Sequence, residues 1–221
     1  TLNANLKEIK NSIFENNKAT DESGGGGAIM NYQLTNTLNV NSSSFNSNSA
    51  NNGGAIFNTG SLAVSNSTFT NNTAQRTGGA IANISDTKQK VNANLTVQNS
   101  NFYNNQSDMA GGAIYTDSSL TVKNSNFYNN RTNKTVSDEN SKGNEESSGL
   151  GGGAIFSLMG DLNIEEASFA NNETNGNGGA VYSFVGTQSI KNSDFTGNKA
   201  EQDGGAIYAL SLDNSQETTT I

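Results

Sequence analysis

Cysteine and histidine are both missing from the 221 residues. Without them the chain has no disulfide, no Cys or His zinc ligand and no histidine general base. Proline and tryptophan are missing as well. Hydrophobic residues make up only 32%, a level at which an irregular sequence stays disordered for want of apolar surface to bury. No apolar run is long enough for a membrane helix. Basic residues are scarce: 12 Lys and Arg against 20 Asp and Glu, a formal net charge of −8. That balance excludes nucleic acid and anionic membrane as expected partners, because both demand a basic patch. The lack of cysteine fits an exported bacterial protein.

What the chain has instead is repetition. Gly-Gly-Ala-Ile begins at Gly26, Gly53, Gly78, Gly111, Gly152, Gly178 and Gly204, with Val181 for Ile in the sixth copy. A Phe-x-x-Asn precedes every copy: Phe14, Phe45, Phe69, Phe102, Phe127, Phe169 and Phe195, with Asn17, Asn48, Asn72, Asn105, Asn130, Asn172 and Asn198. Five residues before each Phe stands Val or Ile, and in five copies Leu stands two before that. Two before each Phe is Ser, or Ala at Ala167. Leu-x-Val is the period-two pattern of a strand with one buried face, and Ser-x-Phe repeats it one residue out of phase. The chain must bend between them. Ala-Ile opens a third short strand.

Three bent strands in about 25 residues describe one coil of a parallel β-helix, since a unit of this length buries its apolar face only by stacking on its neighbours. The expected fold is an all-β, right-handed parallel β-helix of about seven coils, three short strands per coil, with the hand set by the preference of parallel crossovers. Stacked Phe and Ile/Val/Leu fill the core. The recurring Asn residues are expected to turn the chain in a left-handed conformation and to hydrogen-bond from coil to coil. A single domain is expected over 1–221, as a segment of something longer, because neither end shows a cap. Inserts at about 82–94 and 131–150 interrupt the repeat.

Three surface features are candidates for contact. The residues after each Ala-Ile are Met30, Phe57, Ala82, Tyr115, Phe156, Tyr182 and Tyr208. If Ile points inward, alternation turns this column outward, where Tyr115, Phe156, Tyr182 and Tyr208 would meet protein or sugar. A bend that keeps both Ile and its neighbour inside is the alternative. The second insert carries Arg131, Lys134 and Lys142 among acidic residues, and is either a contact loop or a tolerated polar loop. Lys123, Glu165 and Lys191 share one register on consecutive coils and read as a charge-paired ladder. Catalysis finds little support. Asp161, Glu165, Glu166 and Asp194 fall in scattered registers, whereas glycoside hydrolysis wants two carboxylates facing each other. No metal site, cofactor or catalytic residue is expected.

Phe-x-x-Asn followed by Gly-Gly-Ala-[Ile/Val/Leu] resembles the repeat of the chlamydial polymorphic membrane proteins, and other surface β-helix proteins with the same motifs. The resemblance runs from Phe14 to Ile207. It implies a β-helical passenger of an autotransporter, exported to the outer membrane or secreted, acting in adhesion to host cells. The implied partner is a host-cell surface protein or glycan, or a second copy of the chain. A spacer or self-associating rod and a carbohydrate-active enzyme are the competing expectations.

Overall fold

The computed structural model describes residues 6–21, 24–32, 36–133 and 150–210. Four parallel sheets run the length of a β-helix of seven coils, three of them seven-stranded and one six-stranded. Coil four shows the order. Leu95–Gln98 lies in the valine sheet and Asn101–Tyr103 in the phenylalanine sheet. Gln106–Ser107 follows in an alanine–threonine sheet, and Ile114–Thr116 closes the coil in the isoleucine sheet. The third of these is a short strand added to the three expected. It is two to five residues long, and its inward position holds Ala50, Ala74, Ser107, Thr132, Thr174 and Ala200. Small unlike residues carry no pattern to read.

Pairing is in register, so like stacks on like. Phe14, Phe45, Phe69, Phe102, Phe127, Phe169 and Phe195 face one another across six strand pairs. Their rings lie 4.7–4.8 Å apart and within 5° of parallel, which is the spacing of neighbouring strands. The five inner rings are fully buried, as are the columns from Leu38 to Leu162, Val40 to Ile164 and Ile56 to Val181. One narrow apolar core thus runs through the rod.

The bends fall at fixed places. Three residues before each Phe, the residue has positive φ: Asn11, Ser42, Asn66, Asn99, Asn124, Glu166 and Asn192. This is the predicted phase break between Leu-x-Val and Ser-x-Phe. A second left-handed corner comes two residues after Phe, at Asn16, Ser47, Asn71, Asn104, Asn129, Asn171 and Gly197. The left-handed turn expected of the Phe-x-x-Asn asparagine therefore belongs to its predecessor. That residue faces solvent and is free to turn, while the ladder Asn is held inside by its side chain.

The ladder itself is saturated. Asn105 Oδ1 accepts from the backbone N of Asn72 at 3.0 Å and from its Nδ2 at 2.9 Å. Asn105 Nδ2 donates to Asn130 Oδ1 at 3.0 Å and to the carbonyl of Phe69 at 3.0 Å. The pattern repeats at Asn48, Asn72, Asn130 and Asn172. An Asn105→Ala substitution strands the Asn72 donors and the Phe69 carbonyl inside the protein. Buried groups without partners cost about 1–3 kcal/mol each. The expected loss is above about 2 kcal/mol in urea unfolding, with the slope of the transition unchanged; an unchanged midpoint would mean that water replaces the amide at no cost.

A serine ladder runs alongside. The backbone N of Ser43, Ser67 and Ser100 donates to the hydroxyl of Ser67, Ser100 and Ser125 at 3.1 Å each. Each of those hydroxyls donates to the carbonyl two residues back, at 2.7–2.8 Å. Ala167 has no hydroxyl for Ser125, and it is buried at 3% exposure. Ala167→Ser restores both bonds and is expected to stabilise the chain by about 0.5–1.5 kcal/mol, a typical net hydrogen bond. A lower melting temperature would show that the site has no room for the oxygen.

Candidate functional site

The isoleucine sheet positions the aromatic column. Each strand buries its first residue, as Ile114 does at 0% exposure, and alternation turns the second outward. The column points out of the core as expected, but it is not a freely exposed row. Met30 is exposed at 59%, Ala82 is buried, and Phe156 is buried at 2%. Tyr115, Tyr182 and Tyr208 are half-buried. The reason is vertical stacking. Phe156 lies between Tyr115, with centroids 5.5 Å apart, and Tyr182, at 4.5 Å, and Tyr182 continues to Tyr208 at 5.2 Å. Ring faces are spent on one another; ring edges are left for solvent, and the Tyr115 hydroxyl is itself largely buried. Ala82 separates Phe57 from this four-ring stack.

Burial also shifts titration. It pushes the Tyr115 hydroxyl up to about 12, helped by the negative charge of Asp117 and opposed by Arg76. Tyr182 is raised for the same first reason, with Tyr208 adding to it. A tyrosine with a raised folded pKa stabilises the fold below its unfolded value near 10. That contribution disappears as pH climbs from about 10 to the folded value. In an alkaline titration followed by tyrosinate absorbance, one group is expected to ionise near pH 12, and to vanish from the curve in Tyr115→Phe. Ionisation of every tyrosine near 10 would mean that the stack is open to water.

Charged candidates sort differently. Arg131, expected in the second insert, lies in the strand Arg131–Thr132, pairing in register with Glu173. Its Nε is 4.0 Å from Glu173, whose carboxylate also binds Lys199 Nζ at 2.9 Å. Lys134 and Lys142 lie outside the described residues. Of the expected ladder on the valine sheet one link forms, Lys123 Nζ lying 2.8 Å from Glu165, while Lys191 is in register beyond it and makes no ion pair among the described residues. The Glu165 carboxyl is held below the usual carboxylate range, first by its hydrogen bond to Lys123. Both ladders lie at the surface, where salt screens them. Among the described residues no group of three acidic side chains could hold a metal.

The first insert is fastened to the rod. Asp86 accepts the backbone N–H of Lys88 and Gln89 at 2.9 and 3.0 Å and the hydroxyl of Tyr32 from an earlier coil. The hydrogen bond from Tyr32 is the largest single cause lowering the Asp86 carboxyl, ahead of the backbone N–H of Gln89. Ala93 is buried beneath it, its carbonyl bound by Asn83 Nδ2 at 2.7 Å.

The coil unit has a counterpart among protein families. The model for the Chlamydia polymorphic membrane protein repeat matches residues 11–32, 42–59, 66–84, 99–117, 166–183 and 192–210, just over half of the chain. The chain belongs to this repeat family. Each match begins at the left-handed corner before Phe and runs through the ladder Asn to the isoleucine strand. A polymorphic membrane protein repeat is therefore one coil less its valine strand. The coil of Phe127 and Gly152, split by residues 134–149, falls outside the matched spans. Neither the curated proteins nor the solved structures offer a match.

Three features of these repeats escape the sequence reading. Asn31, Asn58 and Asn83 form a second buried ladder, with bonds of 2.5 and 2.6 Å, ending on Thr116 at 3.0 Å. Glu173 ties Arg131 to Lys199 on a strand too short to recognise. Tyr103 and Tyr128 sit side by side on the outside of the phenylalanine sheet; the signal available was alternation, which turns the residue after each buried Phe outward.

Proposed function

We propose that this chain is a non-catalytic adhesin segment of a cell-surface polymorphic membrane protein, and that it contacts host cells through the side faces of its rod. The observation that carries the reading is the six-fold family match on a rod whose core is spent on stacking. Two carboxylates on strands, Glu165 and Glu173, are committed to basic partners on neighbouring coils, and Glu165 is the one of these weighed for catalysis. The contact surface is assigned to the ring edges of Tyr115, Tyr182 and Tyr208 and the hydroxyls of Tyr182 and Tyr208. Held by stacking, they lose less side-chain entropy on binding than a mobile loop would. Because their faces are occupied, this column suits a protein receptor better than the flat approach of a sugar ring.

The test is attachment of purified chain to cultured epithelial cells. Tyr182→Ser with Tyr208→Ser is expected to weaken it, leaving the Tyr115–Phe156 pair stacked and one face of Phe156 uncovered. Deleting residues 134–149 is expected to leave attachment intact. Normal binding by the tyrosine variant, with loss on deletion, would move the contact to the insert. If the unaltered chain itself fails to attach, the segment is a spacer.

A further inference from the structure

The outer face of the phenylalanine sheet carries two rows of polar and aromatic residues. From coil two to coil six its outward positions hold Ser44, Thr68, Asn101, Asn126 and Ser168 in one row and Asn46, Thr70, Tyr103, Tyr128 and Ala170 in the other. None is charged. The bordering charges are Glu166, which follows Asn99 and Asn124 at the corner on coil six, and the matched pairs on the neighbouring sheets, Lys123 with Glu165 and Arg131 with Glu173. On a chain of net charge −8 this is a neutral window.

Two tyrosines occupy its centre. Tyr103 and Tyr128 are register partners on coils four and five, and Tyr128 is 41% exposed. Among the described residues, stacked ring pairs are confined to the Phe column and the column from Tyr115 to Tyr208, so these two rings are not spent on each other. Their outer neighbours in the row, Thr70 and Ala170, are small and leave space above and below. Carboxamides frame them. Asn101 and Asn126 lie two positions back on the same strands and are joined at 2.9 Å. Asn99 and Asn124 stand at one corner, joined at 2.7 Å, and exposed Asn104 and Asn129 at the other. Each such chain of amides uses one donor and one acceptor per link, and leaves the remainder to solvent.

We propose that this face is a binding site for a neutral oligosaccharide lying along the rod, with Tyr103 and Tyr128 meeting the C–H faces of successive sugar rings and the framing asparagines meeting their hydroxyls. The chemistry of the face is the argument. Aromatic rings with nothing stacked on them supply apolar contact at little entropic cost. A carboxamide donates and accepts at once, which matches a hydroxyl and has no counter-ion to offer a sialic acid or a sulfate. Coil spacing is close to the length of one pyranose ring, so one sugar meets one tyrosine. The proposal extends the adhesin reading to a second face, and stands or falls separately from it.

The experiment is binding of the full chain to an array of immobilised neutral, sialylated and sulfated oligosaccharides, followed by titration of the strongest neutral binder. Tyr103→Ala with Tyr128→Ala is expected to weaken binding at least about tenfold with no change in melting temperature, since both side chains lie outside the core. Tyr103→Phe with Tyr128→Phe should restore most of it. Tyr182→Ser with Tyr208→Ser should bind as the unaltered chain does. Absence of any neutral binder, preference for the acidic glycans, or full binding by the double alanine variant overturns the proposal. Equal retention on cell membranes before and after enzymatic deglycosylation would assign the face to a protein and overturn it too. Cell attachment without array binding removes this site and keeps the adhesin; array binding without attachment does the reverse.

Discussion

Phe102→Ala is expected to lower stability by about 3–5 kcal/mol, the range for truncating a large buried aromatic. Phe102 is fully buried, with Phe69 at 4.8 Å on one side and Phe127 at 4.7 Å on the other. Alanine leaves a gap in the middle of a column whose spacing the backbone fixes, so the rings above and below cannot close it. The same change at Phe14, which is partly exposed and stacks on Phe45 alone, should cost clearly less. Chemical unfolding of the two variants checks both the size and the order. Equal losses would mean that stacking contributes little and that only transfer from water matters.

Gly112→Ala is expected to do more damage than any core truncation, although it adds one methyl group. A Cβ at Gly112 would overlap the carbonyl oxygen of Gly153 on the next coil and stand 2.5 Å from the backbone nitrogen of Arg131. These are backbone atoms, and they have no rotamer into which to retreat. The coils would have to part where Ile114 N donates to Ala154 O at 2.9 Å. We expect a loss above about 4 kcal/mol, in the range reserved for a few severe mechanisms, seen as failure to fold or as a large drop in melting temperature. Gly111 serves a different purpose, a left-handed corner at φ +65°, and alanine there strains the backbone as well as meeting Ile114. A Gly112→Ala protein that melts normally would refute the close approach of successive coils.

The two substitutions mark what is legible in the sequence and what is not. Identical large residues in register, such as the Phe and Ile columns, announce themselves, because a core one residue wide has to repeat. The short strand holding Ser107, Thr132 and Thr174 stays hidden: its positions need only be small. Arg131 is mistaken for part of an insert for that reason. Asn104 and Asn105 are neighbours of the same type with opposite duties, one turning the corner and one filling the ladder, and composition merges them. Phe156 shows a third limit. Alternation says which way a side chain leaves its strand, but exposure also depends on the coils above and below. Tyr103 and Tyr128 go unnoticed because they occur on two coils only, while the eye follows what recurs seven times.

The asparagine ladder has one property that the strands around it lack. Neighbouring strands exchange hydrogen bonds in both directions: Asn11 N donates forward to Asn41 O, and Ser44 N donates back to Ser12 O. The links of this buried ladder do not: from Asn17 to Asn198 each of its Nδ2–Oδ1 bonds points from the earlier coil to the later one, while the exposed links from Asn124 to Asn99 and from Asn126 to Asn101 point back. The buried dipoles add like links of one polarised chain, each strengthening the next. The buried ladder is therefore a vector. Its Asn17 end offers an acceptor and its Asn198 end offers donors, so a coil of this kind can join at either end only if it faces the same way. Two such rods meeting head to head would bring like poles together.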